Sequence, residues 1–369
     1  MTVNVTKPSI NLREKLSELH KPSGIAGERL LRSETSQEAF EYIGAGRKNL
    51  IINGGFDVWQ RGTTVNTTKF SADRWQSWMT NSGVSNRNVQ CTKQTGGPIG
   101  KNSSYIRYAP QVVDTGMEKF AWGQKIEKAN LDHIKSGQSL TLSFWIKKEQ
   151  SLPVDNNMDI QILTPPNTID TWASAYLWRG DSSIDQTLDS ISFNSLSTEW
   201  TYYTYTFVPG DTALDRGLAV YWHIGDTDFN LNNTDPIVSF TGVQLEIGNV
   251  ATPFEHVPYD VQLQRCYRYY YKRLAGNPYG PGAQGMQIGS NNVMIQGYHP
   301  VEMRTAPTMS GANWICEHSG SISSWSMGST RVSTTAWSSE NSLSGTDGNA
   351  AIIYGNNNVN AYIIGDAEL

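Results

Sequence analysis

The 369-residue chain carries 29 Lys and Arg against 34 Asp and Glu, a formal charge of −5. That mild acidity argues against a nucleic-acid binder, which needs a basic face, and it is too little charge for a disordered acidic chain. The length fits about two or three domains. The 12 Trp and 17 Tyr, amid abundant Gly, Ser, Thr and Asn, point to pleated half-buried surfaces joined by tight turns, hence a mainly β protein.

Residues 1–48 differ from the rest. Leu12, Leu16 and Leu19 recur at helical spacing in NLREKLSELHK, and Pro22 ends that helix. TSQE has the capping-box form that opens the helix EAFEYI, which carries Phe40 and Ile43, and Gly44 stops it. Short helices with so little apolar surface are marginal alone in water. The segment is therefore expected to need a partner, either copies of itself or another protein; a helical cap packed on its own chain is the alternative. The opening MTVNVTKPSI lacks a basic-then-apolar leader, which predicts folding in a cytoplasm. No stretch has the ~18 apolar residues of a membrane span.

From 49 the pattern becomes β. NLIINGGFDVWQRGTT (49–64) reads as a first strand entering a core, with Asn53-Gly54-Gly55 supplying a turn and Trp59 and Trp75 helping to close the core. SLTLSFWIKK (139–148) places Leu140, Leu142, Phe144 and Ile146 on one face. WTYYTYTFV (200–208), LAVYWHIG (218–225) and VSFTGVQLEIG (238–248) are further strands. Strands at this spacing without intervening helices predict an antiparallel sandwich over 49–258. KFAWGQKIEKANLDHI fits either a strand or a helical turn. Residues 259–274 read as a helical joint entering a strand. Residues 275–369 form a smaller β-domain in which Trp314, Trp325 and Trp337 recur at hairpin intervals, as core or inter-subunit packing, and AAIIYG and NAYIIGDAEL are closing strands.

Catalytic signals are absent from the sequence. Cys91, Cys266 and Cys316 have neither zinc spacing nor a disulfide pattern and read as buried free thiols. The six histidines form no metal motif, and no nucleophile elbow, P-loop or dinucleotide fingerprint occurs. No cofactor is expected. A glycosidase needs two carboxylates that can be distant in sequence, so Asp155, Asp159, Glu199, Asp211, Asp226 and Asp228 remain bare candidates, each also readable as a turn or solvated charge. Binding has more support. Trp172, Tyr176 and Trp178 cluster in DTWASAYLWRG, with Arg179 and Asp181 beside them. Flat aromatic faces can stack on sugar rings while polar neighbours bond the hydroxyls. The same tryptophans can instead be sandwich core.

Two blocks carry a family resemblance. NLIINGGFDVWQRGTT followed by FSADRWQ resembles the opening of a jelly-roll domain of bacteriophage tail fibres and other virion fibre proteins. VQLEIGNVATPFEHVPYDVQLQRCYRYY (243–270) resembles that domain's close and is the most specific match. KPSGIAGERLLRSETSQEAFEYIGAG is similar to the N-terminal segment of tail-fibre-like proteins from phages of marine bacteria. HPVEMRTAPTMS and GDAEL resemble the two ends of the small β-domain that often follows.

The resemblance implies a helical virion-attachment segment (1–48, with Leu12, Leu16, Leu19, Phe40 and Ile43), a jelly-roll sandwich (49–258), a joint (259–274) and a distal β-domain (275–369). It implies a tail fibre or receptor-binding protein, a homotrimer, held to a tail or adaptor protein and binding host glycan non-covalently. The protein would be located in the virion after assembly in the host cytoplasm, with neither nucleic acid nor membrane insertion involved. A head-decoration or vertex fibre, a fibre that depolymerises polysaccharide and a structural adaptor are the other readings. Jelly-roll carbohydrate-binding modules often hold a structural calcium near an N-x-G-F-E start. Asn53, Gly55, Phe56 and Asp57 match that start loosely, so Asp57 is the calcium candidate the resemblance offers.

Overall fold

The computed structural model describes residues 48–67, 69–81, 88–111, 117–152, 155–172, 182–225 and 235–369. Contacts divide the chain into Met1–Leu50 and Ile51–Leu369, and the second unit is the one described below. The attachment candidates Leu12, Leu16, Leu19, Phe40 and Ile43 lie outside the described residues.

The chain is mainly β. Strands β1 (Thr64–Thr67), β2 (Gln76–Asn81), β3 (Asn88–Thr95), β4 (Ser104–Gln111), β5 (Met117–Ile126), β6 (Leu140–Lys148), β7 (Asn157–Thr164), β8 (Ser183–Ser192), β9 (Thr201–Phe207), β10 (Leu218–Ile224) and β11 (Val238–Ile247) build an antiparallel sandwich. One sheet has six strands in the order β1-β3-β4-β11-β6-β9, the other five in the order β2-β5-β10-β7-β8. From β4 onward the chain changes sheet at nearly every step, which gives the jelly-roll. A short helix, α1 (Asp211–Arg216), links β9 to β10. The ambiguous KFAWGQKIEKANLDHI is both things expected of it, the strand β5 and then a 3-10 turn at Lys128–Asn130.

Alternation dictates the core. Leu140, Leu142, Phe144 and Ile146 of β6 are buried, as strand periodicity requires. Aromatic rings fill the space between the sheets. Trp222 lies 6.3 Å from Trp122, nearly parallel to it, and meets Phe240 edge-on at 4.7 Å. Phe56 packs on Trp75 at 4.7 Å.

The opening stretch is not the first strand. Residues 51–56 form bends and turns, and the first strand is β1. Its side chains still enter the core, Phe56 and Trp75 fully and Trp59 almost so. Side chains supply the bonds that a sheet would have supplied. Gln124 holds both backbone groups of Ile52, accepting from its N–H at 2.8 Å and donating to its carbonyl at 2.7 Å. Asn53 accepts from the Asp57 and Val58 N–H groups and donates to the Val58 and Asp73 carbonyls. With these bonds made elsewhere, the backbone is free to turn through left-handed conformations at Asn53 (φ 60°) and Phe56 (φ 57°).

Helix α2 (Tyr259–Tyr267) leads into β12 (Tyr270–Leu274), which opens the C-terminal layers. Strands β13 (Pro281–Ile288), β14 (Asn292–Tyr298), β15 (Thr308–Ala312), β16 (Trp314–His318), β17 (Ser321–Trp325), β18 (Ser329–Val332), β19 (Ala336–Ser342), β20 (Ala350–Gly355) and β21 (Tyr362–Asp366) follow. They form a seven-stranded sheet, β17-β16-β20-β13-β14-β19-β18, and a three-stranded sheet, β12-β21-β15. Trp314, Trp325 and Trp337 are buried in the core shared by these sheets. All three cysteines are free and buried.

A polar knot joins the sandwich to the C-terminal sheets. The buried Arg74 guanidinium bonds to the Glu368 carboxylate, donates to the Lys125 carbonyl at 2.6 Å and stacks 3.6 Å from the Tyr269 ring centroid. Beside it, Arg61 lies 3.5 Å over Tyr270 and reaches Glu368 at 3.4 Å and Asp73 at 3.5 Å. Glu127 accepts from Arg268 at 2.7 Å and from the Tyr269 hydroxyl at 2.9 Å. Burial raises the Arg74 penalty for carrying charge, yet Glu368 holds its pKa above the usual value.

Removing one partner of such a pair leaves a buried charge uncompensated. Glu368→Ala is expected to cost about 3–5 kcal/mol, and Arg74→Met with Glu368→Leu far less; urea unfolding of the two variants measures the difference. Asp73 adds a pH term. Burial raises its carboxyl from 3.8 to about 6, against the opposing pull of Arg61. The folded chain thus holds that proton more tightly than the unfolded chain. The stabilisation is complete below about pH 3.8 and is lost as pH rises through about 6. Between about pH 3 and about pH 7 the wild type should lose about 3 kcal/mol relative to Asp73→Asn. Parallel stability–pH curves for the two proteins would remove this assignment.

Candidate functional site

The two outer faces of the sandwich differ. On the five-stranded sheet, β2, β5, β10 and β7 align Trp78, Ala121, His223 and Asp159 in one row and Gln76, Gly123, Tyr221 and Gln161 in the next. The centre of that face is closed, because Ala121, Ala219, Tyr221, His223 and Gln161 are all buried. Strand β10 is consequently buried on both sides, although its outward phase is polar and aromatic.

The outer face of the six-stranded sheet is likewise buried at Thr141, Ser143, Ser239, Thr241 and Gln244, but it is open around Trp145 and Lys147. The core-facing phase in β6 leaves Thr141, Ser143, Trp145 and Lys147 pointing outward. Trp145 pairs across the strands with Tyr202 of β9, their rings 5.0 Å apart. Trp200, just before β9, meets Tyr105 of β4 edge-on at 5.2 Å. Tyr105, Trp145 and Trp200 are half-buried and Tyr202 is 40% exposed. Among the described residues, neither indole N–H of this group and neither phenol makes a hydrogen bond within the chain, so the polar tips are available to a ligand.

Charged groups border the rings. Lys147 places its ammonium 5.5 Å from the Trp200 ring centroid and 3.2 Å from Glu149. Arg107 stands 3.8 Å from the same carboxylate, and the Ser239 hydroxyl donates to it. Burial pulls Glu149 upward, but Ser239, Lys147 and Arg107 hold its pKa below the usual carboxylate range. The carboxylate therefore stays ionised and fixes both cations at the edge of the aromatic group. Rings with one wet face, free donors and fixed charges suit a hydroxyl-rich ligand lying flat on the sheet.

No protein-family model matches the chain, and no curated protein matches it. Among solved structures, the chain is similar to the enzymatically active domain of tailspike protein 4 of bacteriophage CBA120, at 13% identity and a TM-score of 0.32, over 54% of this chain and 21% of that one. It is similar to a xylan-binding carbohydrate-binding domain from Paenibacillus barcinonensis at 9% identity and a TM-score of 0.27, over 55% of this chain and 96% of the other. The family 11 carbohydrate-binding module from Clostridium thermocellum, in complex with a β-1,3-1,4-mixed-linked tetrasaccharide, matches at 11% identity and a TM-score of 0.28, over 52% and 97% of the two chains.

Of the ligand-binding candidates read from sequence, Tyr176, Trp178, Arg179 and Asp181 lie outside the described residues. Trp172 is half-buried and serves packing. It touches the cluster of Ile52, Val58, Cys266, Tyr269 and Leu369 and also the outer face of the five-stranded sheet at Ala121, Leu163, Ala219 and Tyr221. Lys125 lies 5.2 Å from its ring centroid. Its indole N–H is buried without an acceptor. The Asp57 side chain is exposed, while its backbone carbonyl accepts from Lys93 at 2.6 Å. No group of three or more acidic, His or Cys side chains is placed to hold a metal among the described residues.

The loose carboxylates hold turns together. Asp155 accepts from the Asn194 N–H and the Ser192 hydroxyl, and Asp159 from Ser190 at 2.6 Å. Asp211 opens α1. The Glu199 N–H donates to the Ser197 hydroxyl oxygen, and Asp226 and Asp228 lie outside the described residues.

The contrast between the open face and the core predicts unequal costs. Trp222→Ala should destabilise the sandwich by about 3–5 kcal/mol, and Trp200→Ala by no more than about 1 kcal/mol. Thermal melts of the two variants compare them; equal losses would show that Trp200 is a packing residue.

Proposed function

We propose that the chain is a virion fibre protein of the phage tail-fibre or receptor-binding kind, and that it binds host-surface glycan non-covalently through the open face of its six-stranded sheet. The observation that carries the binding reading is the group of Tyr105, Trp145, Trp200 and Tyr202, with wet ring faces and unspent polar tips beside Arg107, Lys147 and Glu149. The fibre part is supported by the sequence resemblance of 49–64 and 243–270. In this reading residues 1–48 join the protein to the particle, the chain assembles as a homotrimer, and the β-layers project outward. Weak contact at each face suffices, since linked copies multiply affinity without new contacts.

The test is adsorption of the purified full chain to host cells and to immobilised host envelope glycan. Trp200→Ala and Tyr202→Ala should each weaken retention about tenfold, the loss of a central aromatic anchor, with unchanged melting profiles. The glycan should acquire no new reducing ends. Retention equal to wild type in both variants would move the binding site elsewhere, and release of reducing ends would replace binding with hydrolysis.

A further inference from the structure

The C-terminal layers hold a cleft of about 190 Å³ between the three-stranded and seven-stranded sheets. Its floor is aromatic and aliphatic. Trp337 lies across Gly297, its partner in the β14–β19 ladder, so closely that a Cβ there would stand 2.8 Å from the ring. Tyr271 lies in the same manner over Gly365, where a Cβ would stand 2.4 Å away. Glycine at these two positions lets the rings pack flat on the backbone, where they are buried as the floor of the cleft. Ile363, opposite Arg273 in the ladder, completes the apolar lining.

The polar groups of the cleft are of two kinds. The Tyr271 hydroxyl is committed. His299 must donate from Nε2 to the Ser333 carbonyl at 3.1 Å, so its Nδ1 accepts the Tyr271 proton at 3.0 Å. That pair fixes the Tyr271 ring as a wall. Arg273 is uncommitted. Strand alternation puts it on the same face of β12 as Tyr271, at the cleft's edge. Among the described residues it reaches only the Pro281 carbonyl, at 3.4 Å, with no carboxylate in ion-pair range. Tyr298 stands at the rim with 87% of its surface exposed.

We propose that this cleft is a second ligand site that takes a single sugar ring bearing a carboxylate. The volume is below that of pockets for drug-sized ligands and so fits one ring. Trp337 and Tyr271, 4% and 3% exposed, form the closed floor beneath the ring; Tyr298 would stack on its apolar face, and Arg273 would bind the carboxylate through its planar fork. The inference stands independently of the sandwich-face reading, because it uses other residues in other sheets.

Glucuronic acid and glucose are the probes, added to the full chain and followed by saturation-transfer NMR and tryptophan fluorescence. Glucuronic acid should bind at least about tenfold more tightly than glucose. Arg273→Gln should abolish that preference, and Tyr298→Ala should weaken both sugars several-fold; both side chains are exposed, so the fold survives their loss. Trp200→Ala should leave glucuronic acid binding unchanged. Absence of glucuronic acid binding, undiminished binding in Arg273→Gln, or its loss in Trp200→Ala would each overturn the proposal.

Discussion

The Arg74 guanidinium is the contact on which the arrangement of Ile51–Leu369 depends. It is fully buried, and burying a cation is costly unless it is paired and hydrogen-bonded. Glu368 answers its charge, the Lys125 carbonyl accepts a hydrogen bond, and the Tyr269 ring covers its face. Arg74 stands in the opening loop, and these partners come from β5, the turn after α2 and the end of the C-terminal layers. None of the pieces can move without exposing an unpaired charge. The backbone at Arg74 is itself left-handed, at φ 73°, a conformation that a long side chain adopts only where its surroundings compel it.

This knot gives meaning to the segments that carry the family resemblance. SADRW contributes Asp73 and Arg74; RCYRYY contributes Arg268, Tyr269 and Tyr270; GDAEL contributes Asp366 and Glu368. Arg74 and Glu368, 294 positions apart, meet at one place. Their side-chain types are explained by the joint rather than by a ligand. The surfaces free to bind are then those the joint leaves uncovered: the open face of the six-stranded sheet and the cleft between the C-terminal sheets. Each carries an exposed ring on a strand, Tyr202 in the one and Tyr298 in the other, while Trp337 and Tyr271 beneath the cleft belong to the core that joins the C-terminal sheets.

Much of the architecture was legible from alternation. Leu140, Leu142, Phe144 and Ile146 mark β6 and its inward face without any structural knowledge, and the same phase leaves Trp145 outside. A large aromatic on the outward phase of a strand is the sequence signal for the proposed face, repeated by Trp200 and Tyr202 around β9. In the DTWASAYLWRG cluster Trp172 is engaged in packing, and Tyr176, Trp178, Arg179 and Asp181 lie outside the described residues. The opening stretch departs from its hydropathy. Leu50-Ile51-Ile52 has the composition of a strand, but the Gln124 side chain satisfies both backbone groups of Ile52, and hydropathy contains no record of such bonds.

The sequence by itself determined a mainly β chain, the positions of several strands, the inward phase of β6, and cysteines without pairing or metal spacing. Those properties follow from local periodicity and turn chemistry, which operate over a few residues. Only the tertiary structure decided which face of each sheet is open, that Tyr221 and His223 are buried on an outward phase, and that Arg74 and Glu368 form one buried pair. Alternation gives every strand two faces but does not say what covers them. That is settled by contacts between residues far apart in the chain, where burial and charge compensation act together.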